Sequence, residues 1–191
     1  MEYQSTGYQR RYLRAPFKHD ILYVDQDFSF KGSALNISEG GLLLNSVGHF
    51  PDGDRVQFML CLPQYPLFKN FSLERLSNYT PSILESRTIR FKAKMVRKLS
   101  SNSKAEGVLL HKMGLMIQEI DPVSQAKIAQ YVEDFSSNLI YLQVLIDSIN
   151  DDKKNLPKIR LVSKFLGYET DIKVALLRTF VEHDYKSLQW L

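Results

Sequence analysis

At Asp121-Pro122 the spacing of apolar residues along the chain changes, and this change limits what the chain can fold into. Downstream, Ile128, Val132, Phe135, Leu139, Leu142, Ile146 and Ile149 follow one another at steps of 4, 3, 4, 3, 4 and 3. That is a heptad seam on one face of a helix. Asp121 can cap the helix, and Pro122 falls at the first helical position, where a missing N–H costs nothing. A helix over 122–149 is roughly 42 Å long at 1.5 Å per residue. A small barrel is too narrow to cover that length, so the outer half needs another partner. Two further helical patterns, around Pro157–Leu166 and Asp171–Tyr185, are separated by Gly167. They supply the partner within the chain, or the 128–149 seam pairs two chains as a homodimer. Leu161, Phe165, Leu166, Leu176, Leu177 and Phe180 must be buried somewhere, which favours the intrachain cap.

Upstream of residue 121 the pattern is that of short strands joined by turns. Phe17–Val24 reads as a first strand and Asp25-Gln26-Asp27 as a turn. Phe28, Phe30, Ala34, Leu35 and Ile37 mark a second strand, with an irregularity expected at Lys31 and Gly32. Ser38-Glu-Gly-Gly is a turn signature in which glycine permits positive φ. Leu42–Leu44, Val56–Leu62, Thr88–Leu99 and Gly107–Ile120 complete the series, the last as one strand or two. Strands of this length and spacing favour a barrel or sandwich over a parallel α/β sheet. Residues 63–87 break the rhythm and read as an insertion, with a short helix at Ser72–Leu76.

Composition narrows the function. A net charge of +4, from 25 basic and 21 acidic residues, is too mild for wrapping long nucleic acid but suits a small anionic ligand. No apolar run approaches the ~18 residues of a membrane span, and the N-terminus lacks a signal-peptide apolar region. Cys61 is the only cysteine, so neither an intrachain disulfide nor a thiolate cluster is expected, and the chain reads as cytoplasmic. Cys61 falls in an apolar strand pattern, which points to packing rather than reactivity.

Two short motifs carry chemistry. Arg10 and Arg14 stand four residues apart in an arm before the first strand. Guanidinium groups fork onto phosphate oxygens and stack on purine faces, so such a pair suits a cyclic dinucleotide. Arg11 is adjacent and can assist. Asn36-Ile-Ser-Glu-Gly-Gly is the second motif. Asn36 offers the donor and acceptor that a guanine edge requires, Ser38 adds a hydroxyl two residues on, and Gly41 allows close backbone approach. Gly40 belongs to the turn. Taken singly, each motif is better read as a solvated arm or a hairpin turn.

Together, Arg-x-x-x-Arg followed by Asn-x-Ser-x-x-Gly resembles the paired signature of the PilZ domain family, over about residues 8–136. The resemblance implies a mainly β fold with α: a six-stranded antiparallel barrel followed by a long helix, here with a helical extension. The expected division is an arm over 1–15, a barrel over 16–121, a helix over 122–150 and an extension over 151–191. It implies binding of the bacterial second messenger cyclic di-GMP by Arg10, Arg14, Asn36, Ser38 and Gly41, with Arg11 and Gly40 beside them. No metal and no catalytic residue are expected. The arm's arginines have no obvious intramolecular anchor, so ligand is expected to order the arm on the barrel. A protein partner would then read the change through the insertion or the tail.

Three rival readings exist. A ligand-independent interaction module could share the fold. A single-stranded nucleic-acid barrel would use Arg90, Lys92 and Lys94, which otherwise form the solvent face of a strand. The dipeptides His19-Asp20 and His183-Asp184 suggest a metal-dependent phosphohydrolase, but His49 and His111 fall in a turn and a strand pattern, which leaves the ligand set incomplete.

Overall fold

The computed structural model describes residues 11–45, 49–51, 53, 55–80, 87–100, 111–150 and 153–189. Among these residues are seven strands: β1 (Ala15–Pro16), β2 (Asp20–Asp25), β3 (Phe28–Ser38), β4 (Gly41–Asn45), β5 (Val56–Leu62), β6 (Arg87–Ser100) and β7 (His111–Ile120). All pair antiparallel, in the order β1-β3-β2-β5-β6-β7-β4, and β4 pairs again with β3. The last pairing closes six strands into a barrel, leaving β1 as an extra strand on β3. Closure removes free sheet edges and buries one face of every strand.

Register follows from the inward residues. Phe30 lies opposite Tyr23, Tyr23 opposite Phe58, and Phe58 opposite Phe91. Their rings stack in sequence at 5.4, 5.4 and 5.5 Å, a ladder across four strands. A one-residue slip anywhere would turn a ring out of the core, so the ladder pins the pairing.

Three local readings need correction. The first strand does not run unbroken from Phe17. One extra residue between Pro16 and Asp20 shifts the pairing with β3 and splits off β1. The break is tied down where Phe17 N–H donates to Leu35 O and Ala34 N–H to His19 O, both at 2.9 Å. The irregularity of β3 is at Leu35, which bulges against β4, while Lys31 and Gly32 pair regularly with β2. Cys61 faces outward and is exposed, with Thr88 Oγ1 3.8 Å from its sulfur.

The period change at Asp121 becomes α2 (Pro122–Asp147), capped where Ser124 N–H donates to Asp121 Oδ1 at 2.9 Å. The N-terminal half of α2 lies on the barrel. Tyr131 donates its hydroxyl to Pro16 O at 2.8 Å and meets Phe17 edge-on. Burial pushes the Tyr131 pKa well up, so it remains a donor at any ordinary pH. The C-terminal half is covered by α3 (Leu156–Phe165) and α4 (Val174–Gln189). α3 ends at Gly167 (φ 81°), where Tyr168 N–H reaches back to Ser163 O, a Schellman stop. Six of the seven seam residues, Ile128 to Ile146, are buried within the chain, which leaves the seam little apolar surface for a second copy.

The insertion is anchored, not splayed. Phe68–Asn70 forms a 3₁₀ turn and α1 (Leu73–Ser77) follows, capped by the Ser72 hydroxyl as its sequence predicts. Asn138, buried on α2, accepts from Phe68 N–H and donates to Pro66 O, each at 2.9 Å. Phe68 also stacks on Phe165 of α3 at 5.2 Å, and Tyr79 meets Phe165 edge-on at 5.0 Å. Insertion and tail are therefore packed on each other.

Replacing Asn138 by Ala should cost about 2–3 kcal/mol of unfolding free energy, since it strands a buried N–H and leaves a carbonyl short of a partner. Ile140→Ala, at an exposed position of the same helix, should stay within about 0.5 kcal/mol. Urea unfolding of the two variants checks this; equal costs would refute the role given to Asn138.

Candidate functional site

The hairpin joining β3 to β4 is built around close backbone approach. Ser38 pairs with Gly41 across a two-residue loop, Glu39-Gly40. The Ser38 hydroxyl donates to Gly41 O at 3.1 Å, and Ile117 N–H of β7 donates to Gly40 O at 3.0 Å. A Cβ on Gly41 would lie 2.1 Å from the Leu115 carbonyl oxygen, inside any permissible contact. Neither Gly40 nor Gly41 has positive φ, so the expectation of a positive-φ turn is corrected: glycine serves proximity here, not dihedral freedom.

Beside this hairpin runs the arm. Arg11 is exposed and Arg14 half-buried, immediately before β1. Tyr12 lies against Gly40, and the Arg11 guanidinium stands 5.5 Å from the Tyr12 ring centre. Between arm, hairpin and the outer face of β5, β6 and β7 opens a cavity of about 960 Å³. Of the residues in the two ligand motifs, Arg11, Arg14, Ser38 and Gly40 line it. Asn36 and Gly41 do not: Asn36 is half-buried in β3 between Pro16 and Leu43, and Gly41 is buried against β7. Arg10 lies outside the described residues.

The cavity also holds residues that the motifs did not indicate: Tyr12, Glu39, Gln57, Arg90, Lys92, Gln118, Glu119, Asp121 and Gln125 among them. In the sequence Arg90 and Lys92 were legible as the outward members of an alternating strand, and as contacts only for a single-stranded nucleic acid. Their relation to the arm depends on barrel closure, which no local pattern encodes. Lys92 and Arg55 hold Glu119 at 2.7 and 3.2 Å. The hydrogen bond from Lys92, aided by both positive charges, keeps the Glu119 carboxyl below its ordinary value. Asp121 is lowered likewise, by the Ser124 hydroxyl and backbone N–H. Beside the Lys92–Glu119 pair the cavity is lined by the guanidinium-bearing Arg11, Arg14 and Arg90. Such a wall suits a flat, dianionic ligand with polar edges.

Among the described residues no three His, Cys, Asp or Glu side chains gather as a metal site, and no helix is long and apolar enough to cross a membrane. His19 and His183 sit apart from the cavity. Burial lowers the His19 pKa, with Asp20 opposing, and His183 lies 3.3 Å from the neighbouring Asp184 carboxylate.

The PilZ domain family profile matches residues 8–134. Comparison with curated protein sequences returns no match. Among solved structures, the inhibitor of motility MotI/DgrA of Bacillus subtilis aligns at 20% identity and a TM-score of 0.48, covering 65% of this chain and 49% of that one. The PilZ domain of YcgR from Escherichia coli, solved with c-di-GMP, aligns at 10% identity and a TM-score of 0.43, covering 66% and 91%. The chain thus spans about half the length of MotI/DgrA.

Gly41→Ala should lower unfolding free energy by about 2–3 kcal/mol, because β4 must retreat from Leu115 O. Chemical denaturation of the ligand-free protein measures it, and an unchanged midpoint would contradict the packing role.

Proposed function

The chain belongs to the PilZ domain family, and on that footing we propose that it is a cyclic di-GMP receptor whose ligand occupies the cavity between arm and barrel. One observation carries this reading: Arg11 and Arg14 from the arm converge with Ser38 and Gly40 from the hairpin on a single cavity. Cyclic di-GMP offers two phosphodiesters and two guanines. Arg14, with Arg10 beyond the described residues, supplies guanidinium for phosphate and for purine faces. Ser38 spends its proton on Gly41 O, so its lone pairs are left to accept from a guanine N–H. Asn36, two residues earlier on β3, does not line the cavity, so a guanine-reading role for its amide rests on the family signature alone. Gly41 supports the site indirectly, by holding the hairpin against β7.

Binding without turnover fits these groups, since none is arranged as a nucleophile with its base and the family match indicates no catalytic class. Output follows from how the arm is attached. β1 continues from Arg14, and α4 packs against β1, with Lys18 standing 5.5 Å from the Tyr168 ring centre. Ligand gripped by the arm's arginines loads β1 where it meets the helical tail, altering a surface that a protein partner reads on the tail or insertion.

Calorimetry with cyclic di-GMP on the wild type and on Arg14→Ala tests the site. A loss of at least tenfold in affinity, about 1.4 kcal/mol, is expected; an unchanged Kd overturns the assignment. In a thermal shift assay, ligand at a hundredfold excess over Kd should add about 2.7 kcal/mol of stability, and a single-stranded oligonucleotide none. No response to cyclic di-GMP would instead favour a ligand-independent interaction module.

A further inference from the structure

Tyr12 and Gly40 have a relation that the ligand motifs do not account for. The Tyr12 ring lies so close over Gly40 that a Cβ there would meet ring carbons at 2.8 and 3.1 Å. Only a residue without a side chain lets the ring lie on the backbone at that point. The floor beneath the ring is fixed from two directions. Gly40 O accepts from Ile117 N–H, and the adjoining Gly41 is pressed against Leu115 O. Three residues downstream of Tyr12, Ala15 is held in register with Ile37. Arg14 is thereby bracketed by the ring two residues before it and a paired strand one residue after it. Arg11, next to Tyr12, lies along the same wall.

We propose that Tyr12, seated in the notch left by Gly40, is the positioning residue that docks the arm on the barrel before ligand arrives. This rests on the cyclic di-GMP reading and refines it. The expectation that the arm has no intramolecular anchor gives way, from Tyr12 onward, to one of preorganisation. Holding Arg11 and Arg14 in place beforehand removes part of the ordering entropy that binding would otherwise oppose.

The test combines three variants, Tyr12→Ala, Tyr12→Phe and Gly40→Ala, with calorimetry against cyclic di-GMP and limited trypsin digestion without ligand. Tyr12→Ala should raise Kd about tenfold and speed cleavage after Arg11, with the ligand-free Tm almost unchanged because the ring is outside the core. Tyr12→Phe should restore both, since the ring does the work. Gly40→Ala should raise Kd by pushing the ring off its seat, yet add nothing in a Tyr12→Ala background. Should Gly40→Ala cost as much in that background as in the wild type, Gly40 acts on the ligand directly and the latch is refuted. Equal digestion rates for wild type and Tyr12→Ala refute it as well. If wild-type protein fails to bind cyclic di-GMP, the ligand assignment falls, while the digestion rates still decide whether Tyr12 docks the arm.

Discussion

The barrel depends on one close approach. β4 is the strand that joins β3 to β7, and it can do so because Gly41 brings its backbone against the Leu115 carbonyl where any side chain would collide. From that contact follow the Ser38 hydrogen bond, the capture of Gly40 O by Ile117 N–H, and the flat floor on which Tyr12 rests. The hairpin that closes the sheet is also the hairpin that lines the cavity. A ligand held there contacts one of the most constrained pieces of backbone in the protein. The energetic cost of keeping the site in shape is met by the fold and does not fall on binding.

Much of this architecture was legible in the chain, for reasons that are local. Alternation placed β5 at Val56–Leu62 without error, and the Asp121-Pro122 pair and Ser72 marked helix starts because capping is decided within four residues. The heptad seam announced a long helix in need of cover, and the apolar tail supplied it. The family signature stood out because two motifs coincide. What escaped notice depends on distant partners. The Leu35 bulge reflects pairing with β4, and the splitting of β1 from β2 reflects one surplus residue measured against β3. Arg90 joins the cavity only once β6 has been carried round to the arm. Gly41 was read as ligand chemistry, whereas its nearest demand is made by another strand.

The helical layer acts as a lid on one side of the barrel and has its own internal logic. Asn138 offers the insertion both halves of its amide, and Tyr131 offers β1 a hydroxyl, so α2 holds two otherwise independent segments through buried polar contacts. Arg178 adds a third tie, donating to Ile146 O near the end of α2. Such contacts are directional where apolar packing is not, and they fix how far each segment can slide along the helix.

The stacking of Phe68 on Phe165 has a consequence for cooperativity. Each ring is covered by the other's segment, one in the loop between β5 and β6 and one in α3. Displacing the helical tail would strip a covering ring from Phe68 and Tyr79, and displacing the loop would uncover Phe165. Loop and tail therefore form one packed unit across two distant stretches of chain, and loosening either should loosen the other.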